Sequence, residues 1–273
     1  MAASHAHALT HPEPEDFVLW ATGRAPRGPP RAPLPNIPRA NEGDLVSQPF
    51  VQNVSSTGAT GVSLFSDPAN HPDAVGTILT HSAKLASFFP AKGLDNQQEQ
   101  FGAYIEKVST FPGFLLVYNE QTGQSQTSVN TDLMIKDIKN AYEGVIGADV
   151  NKVIDSINNM ANSIKNKSTH RADKSVFTQM TITEDSGNLV ATIFYTQLHM
   201  ELETSGKKTY SSQSYYVNRS VFKCLSATLV ANAAKLSELL GDGSFDDWAK
   251  DFSSPTGTKL SCFEKNHKAP REN

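Results

Sequence analysis

The apolar positions of this chain first follow the period of a helix. Apolar residues recur three and four positions apart in four segments, which predicts amphipathic helices over residues 72–89, 95–108, 131–146 and 149–165. The last segment has the clearest apolar face, made of Val150, Val153, Ile154, Ile157, Ala161 and Ile164. The sequence therefore predicts two helix pairs, one on each side of residues 113–119.

The remaining apolar segments follow the pattern of strands. Residues 113–119, "GFLLVYN", contain a continuous apolar run, which predicts a central strand that ends at a turn over 121–123. Residues 176–183, 188–203 and 210–223 are separated by short turn sequences and predict a meander of long antiparallel strands. The middle segment is longer than most strands of soluble domains.

The strand at 188–203 has two unlike faces. Its apolar side chains fall on one face: Val190, Phe194, Leu198, Met200 and Leu202. Its polar side chains fall on the other: Gln197, His199, Glu201 and Glu203. This alternation predicts a half-buried strand with a solvated polar face.

The order of the elements indicates the fold class. Antiparallel strands in succession, with helices grouped elsewhere, are typical of α+β proteins rather than of doubly wound sheets. We predict a single three-layer α+β domain over residues 46–273, in which two helix hairpins flank a central, mainly antiparallel sheet of long strands. Residues 1–45 are rich in proline and arginine and predict a flexible arm, either a linker or a removable segment.

Composition narrows the partners and the compartment. The net charge of −4 and the pI near 6.1 give no basic field, so we expect no binding to nucleic acid. The first ten residues lack the basic and apolar regions of a classical signal peptide, and no apolar run reaches the length of a membrane span. We expect a soluble protein that stays in the cytoplasm or is released by a non-classical route.

No segment carries a recognisable catalytic or metal-binding motif. His199 and Glu201 share a strand face, which allows a catalytic pair but is more typical of a solvated sheet. Asp246 and Asp247 are ordinary for the first turn of a short helix. Cys224 has no evident base beside it, and with Cys262 it predicts two reduced thiols. We expect no enzyme activity, no metal and no cofactor.

Amphipathic elements remain as the functional signal. Strands of 9–11 residues suffice to cross a bilayer, and the strand at 188–203 is longer and has one apolar face. The alternative is an ordinary strand packed against a helix pair.

The layout of these elements resembles the Cyt-like superfamily. The resemblance covers roughly residues 46–245 and lies in the helices "DAVGTILTHSAKLASFF", "DNQQEQFGAYIEKV", "TDLMIKDIKNAYEGV" and "DVNKVIDSINNMANSI" and in the strands "VFTQMTIT", "NLVATIFYTQLHMELE" and "TYSSQSYYVNRSVFKC". That superfamily includes the bacterial cytolytic delta-endotoxins, the volvatoxin-type mushroom cytolysins and the Erwinia virulence factor.

The resemblance implies a membrane-active, toxin-like protein. Such a protein binds lipid bilayers as a soluble monomer, inserts amphipathic strands or helices, and forms a homo-oligomer in the membrane. The implied inserting residues are Val190, Phe194, Leu198, Met200 and Leu202 of the strand and Val153, Ile154, Ile157 and Ile164 of the last helix. Two alternatives stay open: a non-lytic protein of the same fold with palmitate attached to Cys224, and a scaffold module recruited through the proline-rich arm.

Overall fold

A computed structural model of the protein describes residues 12–24, 45–47, 51–52, 57–88, 97–126, 130–145, 150–165, 171–185, 188–205 and 208–240. The described strands are β1 (Leu45–Ser47), β2 (Val51–Gln52), β3 (Phe114–Gln126), β4 (Arg171–Asp185), β5 (Asn188–Ser205) and β6 (Lys208–Cys224). The described helices are α1 (Pro14–Ala21), α2 (Gly61–Ser66), α3 (His71–Leu85), α4 (Gln97–Ser109), α5 (Thr131–Tyr142), α6 (Val150–Lys165), α7 (Ser226–Ala231) and α8 (Ala233–Leu240).

The strands form one sheet in the order β1-β4-β5-β6-β3, and β2 also pairs with β4. The strands β4, β5, β6 and β3 are antiparallel to their neighbours, whereas β1 and β2 lie parallel to β4. Two-residue connections join β4 to β5 and β5 to β6, so the three longest strands form the predicted meander. Helices cover both faces of the sheet, and the predicted α+β fold is confirmed.

One face of the sheet lies under a thick layer of helices. The helices α1, α2, α3, α4, α7 and α8 all contribute side chains to one buried cluster with this face, and we call them the six-helix layer. The sheet supplies Met180, Ile193, Tyr195, Tyr216 and Phe222 to the same cluster. The aromatic rings of Phe101 and Tyr195 stack with their centroids 4.6 Å apart, and this contact packs α4 against β5.

Helix α3 is the centre of that layer. It is buried at almost every position from His71 to Ala83, on all its sides. Its polar residues are accommodated locally, because the hydroxyl groups of Thr77, Thr80 and Ser82 each donate to a backbone carbonyl one turn earlier, at 2.9 Å. A helix enclosed in this way cannot leave the sheet without unfolding the layer around it.

The other face of the sheet lies under α5 and α6 alone among the described elements, and we call this pair the hairpin layer. Asn130 caps α5 by accepting a hydrogen bond from the backbone N–H of Leu133, at 3.1 Å. Three to four residues separate the inward side chains of each helix, which gives each helix a single buried stripe.

Strand β3 differs from its prediction in two ways. It runs on to Gln126 through the predicted turn at 121–123, because pairing with β6 continues as far as Gln126 and Gln213. It lies at the edge of the sheet instead of the centre, and Leu115, Leu116 and Val117 are exposed. An apolar run does not by itself predict burial, because the position of the strand in the sheet decides whether neighbouring elements cover it.

The predicted solvated face of β5 is also wrong. Ala191, Ile193 and Tyr195 face the six-helix layer and are fully buried, and Gln197 and His199 on the same face are only 6% and 5% exposed. The alternation of polar and apolar residues begins only in the second half of the strand. In the first half both faces are covered, so the apolar side chains occupy both.

Helix α1 lies within the segment for which the sequence predicts a flexible arm. Phe17 and Trp20 are fully buried in the cluster of the six-helix layer. The indole Nε1 of Trp20 donates to the carbonyl of Lys107 at 3.0 Å. Residues 14–21 are therefore part of the packed structure, and the proline-rich residues 25–44 lie outside the described ranges.

Candidate membrane-active face

The candidate face is the boundary between the hairpin layer and the sheet. The helices contribute Met134, Ile138, Tyr142, Val153, Ile157 and Ala161, and the strands contribute Phe194, Leu198, Met200, Tyr215 and Val217. Spacings of four residues align the helical members on one stripe, and alternation along β5 and β6 aligns the strand members on one face. The boundary is therefore a single flat apolar contact.

One tyrosine joins the apolar contact to a polar one. The ring of Tyr142 stacks on the ring of Phe194 with centroids 4.1 Å apart and planes at 12°. Its hydroxyl group lies 2.9 Å from the Oγ1 of Thr196. Burial raises the pKa of Tyr142, so the phenol is neutral at physiological pH. Tyr142 thus holds the end of α5 on the centre of β5.

Polar contacts hold both ends of α5 on β6. At the start of the helix, the backbone N–H of Asn130 donates to Oε1 of Gln213 at 2.9 Å, and Nε2 of Gln213 donates to the carbonyl of Asn130 at 3.1 Å. The hydroxyl of Tyr215 donates to Asp137 within the helix. Beyond its end, Arg219 donates to the carbonyl of Glu143 at 3.3 Å. These few contacts, with the apolar boundary, attach the hairpin layer.

The structure brings together most of the residues that the sequence proposes for insertion. Phe194, Leu198 and Met200 meet Val153 and Ile157 in the cluster, and all five are fully buried. Val190 and Ile154 are half-buried. The side chains of Leu202 and Ile164 lie outside the described ones, although their backbones belong to β5 and α6.

Cys224 lies on the opposite face of the sheet. It is fully buried at the end of β6, in register with Phe114 of β3 and Leu189 of β5. Burial raises the pKa of its thiol to about 12, despite an opposing hydrogen bond with the backbone of Ala191. The thiolate that an acyl transfer would need is therefore scarce in the folded protein at neutral pH.

The proposed pair on β5 is joined by a third residue that the sequence does not reveal. His199 Nε2 and Glu201 Oε2 are 3.6 Å apart. Ser214 of β6 is the cross-strand partner of His199. The three residues resemble a nucleophile, a base and an acid, but no hydrogen bond from the Ser214 hydroxyl to another group is described and this serine is only 3% exposed. His199 and Ser214 are buried in the sheet, and only the Glu201 side chain is partly exposed, so the three do not form an open site.

Two further kinds of site are absent from the described ranges. These residues contain no group of three or more histidines, cysteines or acidic residues that could hold a metal ion. No helix among them combines the length and apolar character that crossing a bilayer requires. Asp246, Asp247 and Cys262 lie outside the described residues.

Comparison with known proteins gives a likeness in three dimensions alone. No protein-family model matches the chain, and no curated protein matches its sequence. A delta-endotoxin structure is similar over 72% of this chain and 90% of its own, with 14% identity and a TM-score of 0.39. The Evf virulence factor is similar over 78% of this chain and 80% of its own, with 9% identity and a TM-score of 0.31.

These are proteins of the two kinds that the sequence resemblance names, a delta-endotoxin and a virulence factor. At these TM-scores the likeness carries no argument about activity.

The sequence does not mark the residues that fasten the hairpin layer. Tyr142 occupies an apolar position of its helix, while Thr196 and Gln213 lie in strands without any motif. The available signal is the placement of polar side chains at inward positions of β5 and β6, where a buried polar group needs a partner. The partner itself becomes known only when the two layers are placed together.

Proposed function

We propose that this protein is membrane-active and toxin-like, and that it binds lipid bilayers and inserts amphipathic strands after the hairpin layer separates from the sheet. The observation that carries the proposal is the hairpin layer itself. It covers the apolar residues Phe194, Leu198 and Met200 of an 18-residue strand through one small cluster.

The second half of β5 has the alternation that a bilayer requires. With the hairpin layer removed, Leu198 and Met200 present an apolar face, while Gln197, His199 and Glu201 lie on the other. Strands β5 and β6 have 18 and 17 residues, more than the roughly 9–11 that a tilted strand needs to span a bilayer. Once it is free of both helix layers, a β-hairpin of this length would place lipid on one face and water on the other.

Helix α6 supports the same proposal from the other layer. Its buried stripe of Val153, Ile157 and Ala161 faces β5, while Asn151, Asp155 and Asn158 are exposed. A helix with one apolar and one polar face can lie in the interface of a bilayer after leaving the sheet. Separation of the hairpin layer therefore replaces the apolar contact between α6 and β5 by contacts of each element with lipid.

The test is release of a fluorescent dye from liposomes by the purified protein, with and without proteolytic cleavage within the proline-rich residues 25–44. We expect release at micromolar concentration. No release by either form would contradict the proposal of a lytic protein.

A fluorophore on α6 reports whether the apolar face meets lipid. An environment-sensitive label on Ile154→Cys, in a Cys262→Ser background, should shift to the blue when vesicles are added. The same label on Asn159→Cys, an exposed residue on the opposite side of the helix, is the matched control and should shift less. Equal shifts at both positions would show that the helix does not bind by its apolar face.

The acylated alternative stays a proposal with its own test. A palmitoyl chain on Cys224 would enter a site that is now packed by Phe114 and Leu189. Intact mass before and after hydroxylamine separates the two cases. A palmitoyl mass that hydroxylamine removes supports a lipid-attached protein, and its absence from protein of the native source contradicts it.

A further inference from the structure

The helix α1 lies at the outer surface of the six-helix layer. Its Phe17 and Trp20 are fully buried, whereas Leu19 between them is 41% exposed. Both buried rings meet Phe111 edge to face, with centroid distances of 5.6 Å and 4.7 Å. Residues 25–44 separate α1 from β1, the next described element along the chain. The helix can therefore leave the layer without displacing that strand.

The carboxyl end of α1 is bonded to α4 and to α3. The indole of Trp20 donates to the carbonyl of Lys107 at 3.0 Å, and Nζ of Lys107 donates to the carbonyl of Gly23 at 3.4 Å. On α3, His81 forms a hydrogen bond with the backbone of Ala21, and the rings of His81 and Trp20 lie 5.2 Å apart. His81 is only 1% exposed, so α1 lies directly over a buried histidine.

Burial in this place disfavours a charged imidazole. The pKa of His81 is lowered from 6.5 to about 4, mainly because burial removes water from the ring. Lys84, one turn further along α3, adds to the lowering, and the hydrogen bond with Ala21 opposes it. A proton on His81 therefore favours any arrangement of the protein in which water reaches the ring.

The other charged side chains of the packed helices have contacts elsewhere or lie toward solvent. They are Asp73 on α3, Glu13, Glu15 and Asp16 on α1, Glu99, Glu106 and Lys107 on α4, and Lys235 and Glu238 on α8. Asp73 accepts from Thr57, Asp16 accepts from the backbone N–H of Glu13, and Lys235 pairs with Glu238 at 2.9 Å. On β5, Glu201 lies 3.6 Å from His199. The helices α2 and α7 contain no charged residue.

Release of α1 is the smallest change that brings water to His81. Helix α3 is enclosed on all its sides, so it cannot turn His81 outward without unfolding the layer. Helix α1 has eight residues, and a helix of that length is unstable in water by itself, so it unfolds when it leaves. Local openings of this kind precede global unfolding in elements with few buried contacts.

We propose that α1 is an acid-sensitive strap, which covers His81 at neutral pH and opens ahead of the rest of the six-helix layer when His81 takes up a proton. The proposal deepens the proposed function, because β5 and β6 must leave this layer as well as the hairpin layer before they insert. That role rests on the proposed function, whereas the opening itself is tested without lipid.

The sign and size of the pH effect follow from proton linkage. Above pH 6.5 His81 is neutral whether α1 is closed or open, so the strap is most stable there. As the pH falls toward 4, the open form takes up a proton that the closed form does not. The ratio of open to closed strap should rise about 20-fold from pH 7 to pH 5, while the closed form stays in excess.

Hydrogen exchange at pH 7 and pH 5 measures this ratio, after correction for the intrinsic exchange rate at each pH. We expect the amides of α1 to lose about 20-fold in protection at pH 5. The amides of α3 should change much less, because α3 stays packed when the strap opens.

Three variants separate the proton acceptor from the other contacts of the strap. His81→Leu should remove the pH dependence of exchange in α1. The matched control is His71→Gln, at a buried histidine of the same helix that contacts the carbonyl of Phe65 instead of α1, and it should leave that dependence unchanged. Trp20→Phe removes the bond to Lys107 and should raise exchange in α1 at both pH values by a similar factor.

Three results would overturn the proposal. Equal losses of protection in α1 and α3 would show that the layer opens as a unit. Unchanged protection of α1 at pH 5, or a pH effect as large in His81→Leu as in the parent, would show that His81 does not control the strap. A failure of dye release from liposomes contradicts the proposed function alone, because the exchange experiment contains no lipid.

Discussion

The two faces of the sheet are covered in different ways. Among the residues whose side chains are described, six helices and the sheet share a cluster of 29 buried residues on one face, with α3 enclosed at its centre. On the other face, two helices and the sheet share 11 such residues. Each fully buried large apolar side chain contributes roughly 1.5–3 kcal/mol, so the six-helix layer holds most of the apolar stabilisation described. The hairpin layer is the part that can separate at least cost.

The comparison also separates two kinds of amphipathic element. Helix α6 has the clearest helical pattern in the sequence, yet it belongs to the thinner layer. Helix α3 has a weaker pattern, because its buried surface extends around the whole helix. A strong amphipathic pattern is therefore typical of a helix that packs against the protein on one side only. Such a helix can exchange its contact with the sheet for a contact with lipid.

The largest predicted effect comes from matched cavities in the two layers. Ile78→Ala in α3 and Ile157→Ala in α6 remove the same atoms from fully buried sites, at a cost of roughly 2–5 kcal/mol. We expect Ile78→Ala to lower the stability of the whole protein. Ile157→Ala should mainly raise hydrogen exchange in α5 and α6. Urea unfolding and hydrogen exchange measure the two effects, and equal exchange patterns in both variants would remove the distinction between the layers.

Acid should weaken the six-helix layer through His81. Burial lowers the pKa of His81 from 6.5 to about 4, and Lys84 adds to this while a hydrogen bond with the backbone of Ala21 opposes it. Between pH 6.5 and about pH 4, His81 takes up a proton in the unfolded chain but not in the folded protein. Stability is therefore complete above pH 6.5 and falls by roughly 3 kcal/mol as the pH drops to 4.

The variant His81→Leu is the comparison for this pH dependence. Unfolding in urea at pH 7 and pH 4.5 should show a smaller loss in the variant than in the parent. The same loss in both would assign the acid sensitivity to other groups.

A smaller effect is expected from the hydroxyl groups of two buried tyrosines. Tyr142→Phe removes the contact with Thr196 and should destabilise the hairpin layer by about 1 kcal/mol. Tyr104→Phe, in the six-helix layer, removes a fully buried hydroxyl with no described hydrogen-bond partner and should be neutral or slightly stabilising. Thermal unfolding of the two variants checks the difference, and a reversed order would contradict it.

The smallest effect is kinetic and concerns Cys224. In the Cys262→Ser variant the folded protein should react with iodoacetamide very slowly, because the thiol is buried and its pKa is raised to about 12. In urea the reaction should become fast. Mass spectrometry follows both, and rapid alkylation of the folded protein would show that this face opens readily.

Local pattern is enough to predict much of this fold. The spacings around Val153 and Ile157 give α6, and the turn sequences at residues 184–187 and 204–208 give the meander, because both depend on neighbours in the chain. The edge position of β3 and the second buried face of β5 depend instead on which layers meet. The sequence around Leu115–Val117 therefore contains no periodicity from which its exposure could be predicted.

The candidate face was partly accessible from the sequence for the same reason. Phe194, Leu198 and Met200 share a face by alternation alone. The contacts of Tyr142 with Thr196 and of Gln213 with Asn130 join residues more than 50 positions apart, so only the assembled layers reveal them.

The most direct test of the account is a reversible lock between the hairpin layer and the sheet. Glu143→Cys and Arg219→Cys lie where the guanidinium of Arg219 now bonds the carbonyl of Glu143, and a short reducible bismaleimide can join them in a Cys262→Ser background. The matched control joins Lys235→Cys to Glu238→Cys, a pair within α8. Dye release from liposomes should stop in the locked protein, return after reduction and be unaffected in the control. Equal release by the locked and the reduced protein would contradict the separation of the hairpin layer.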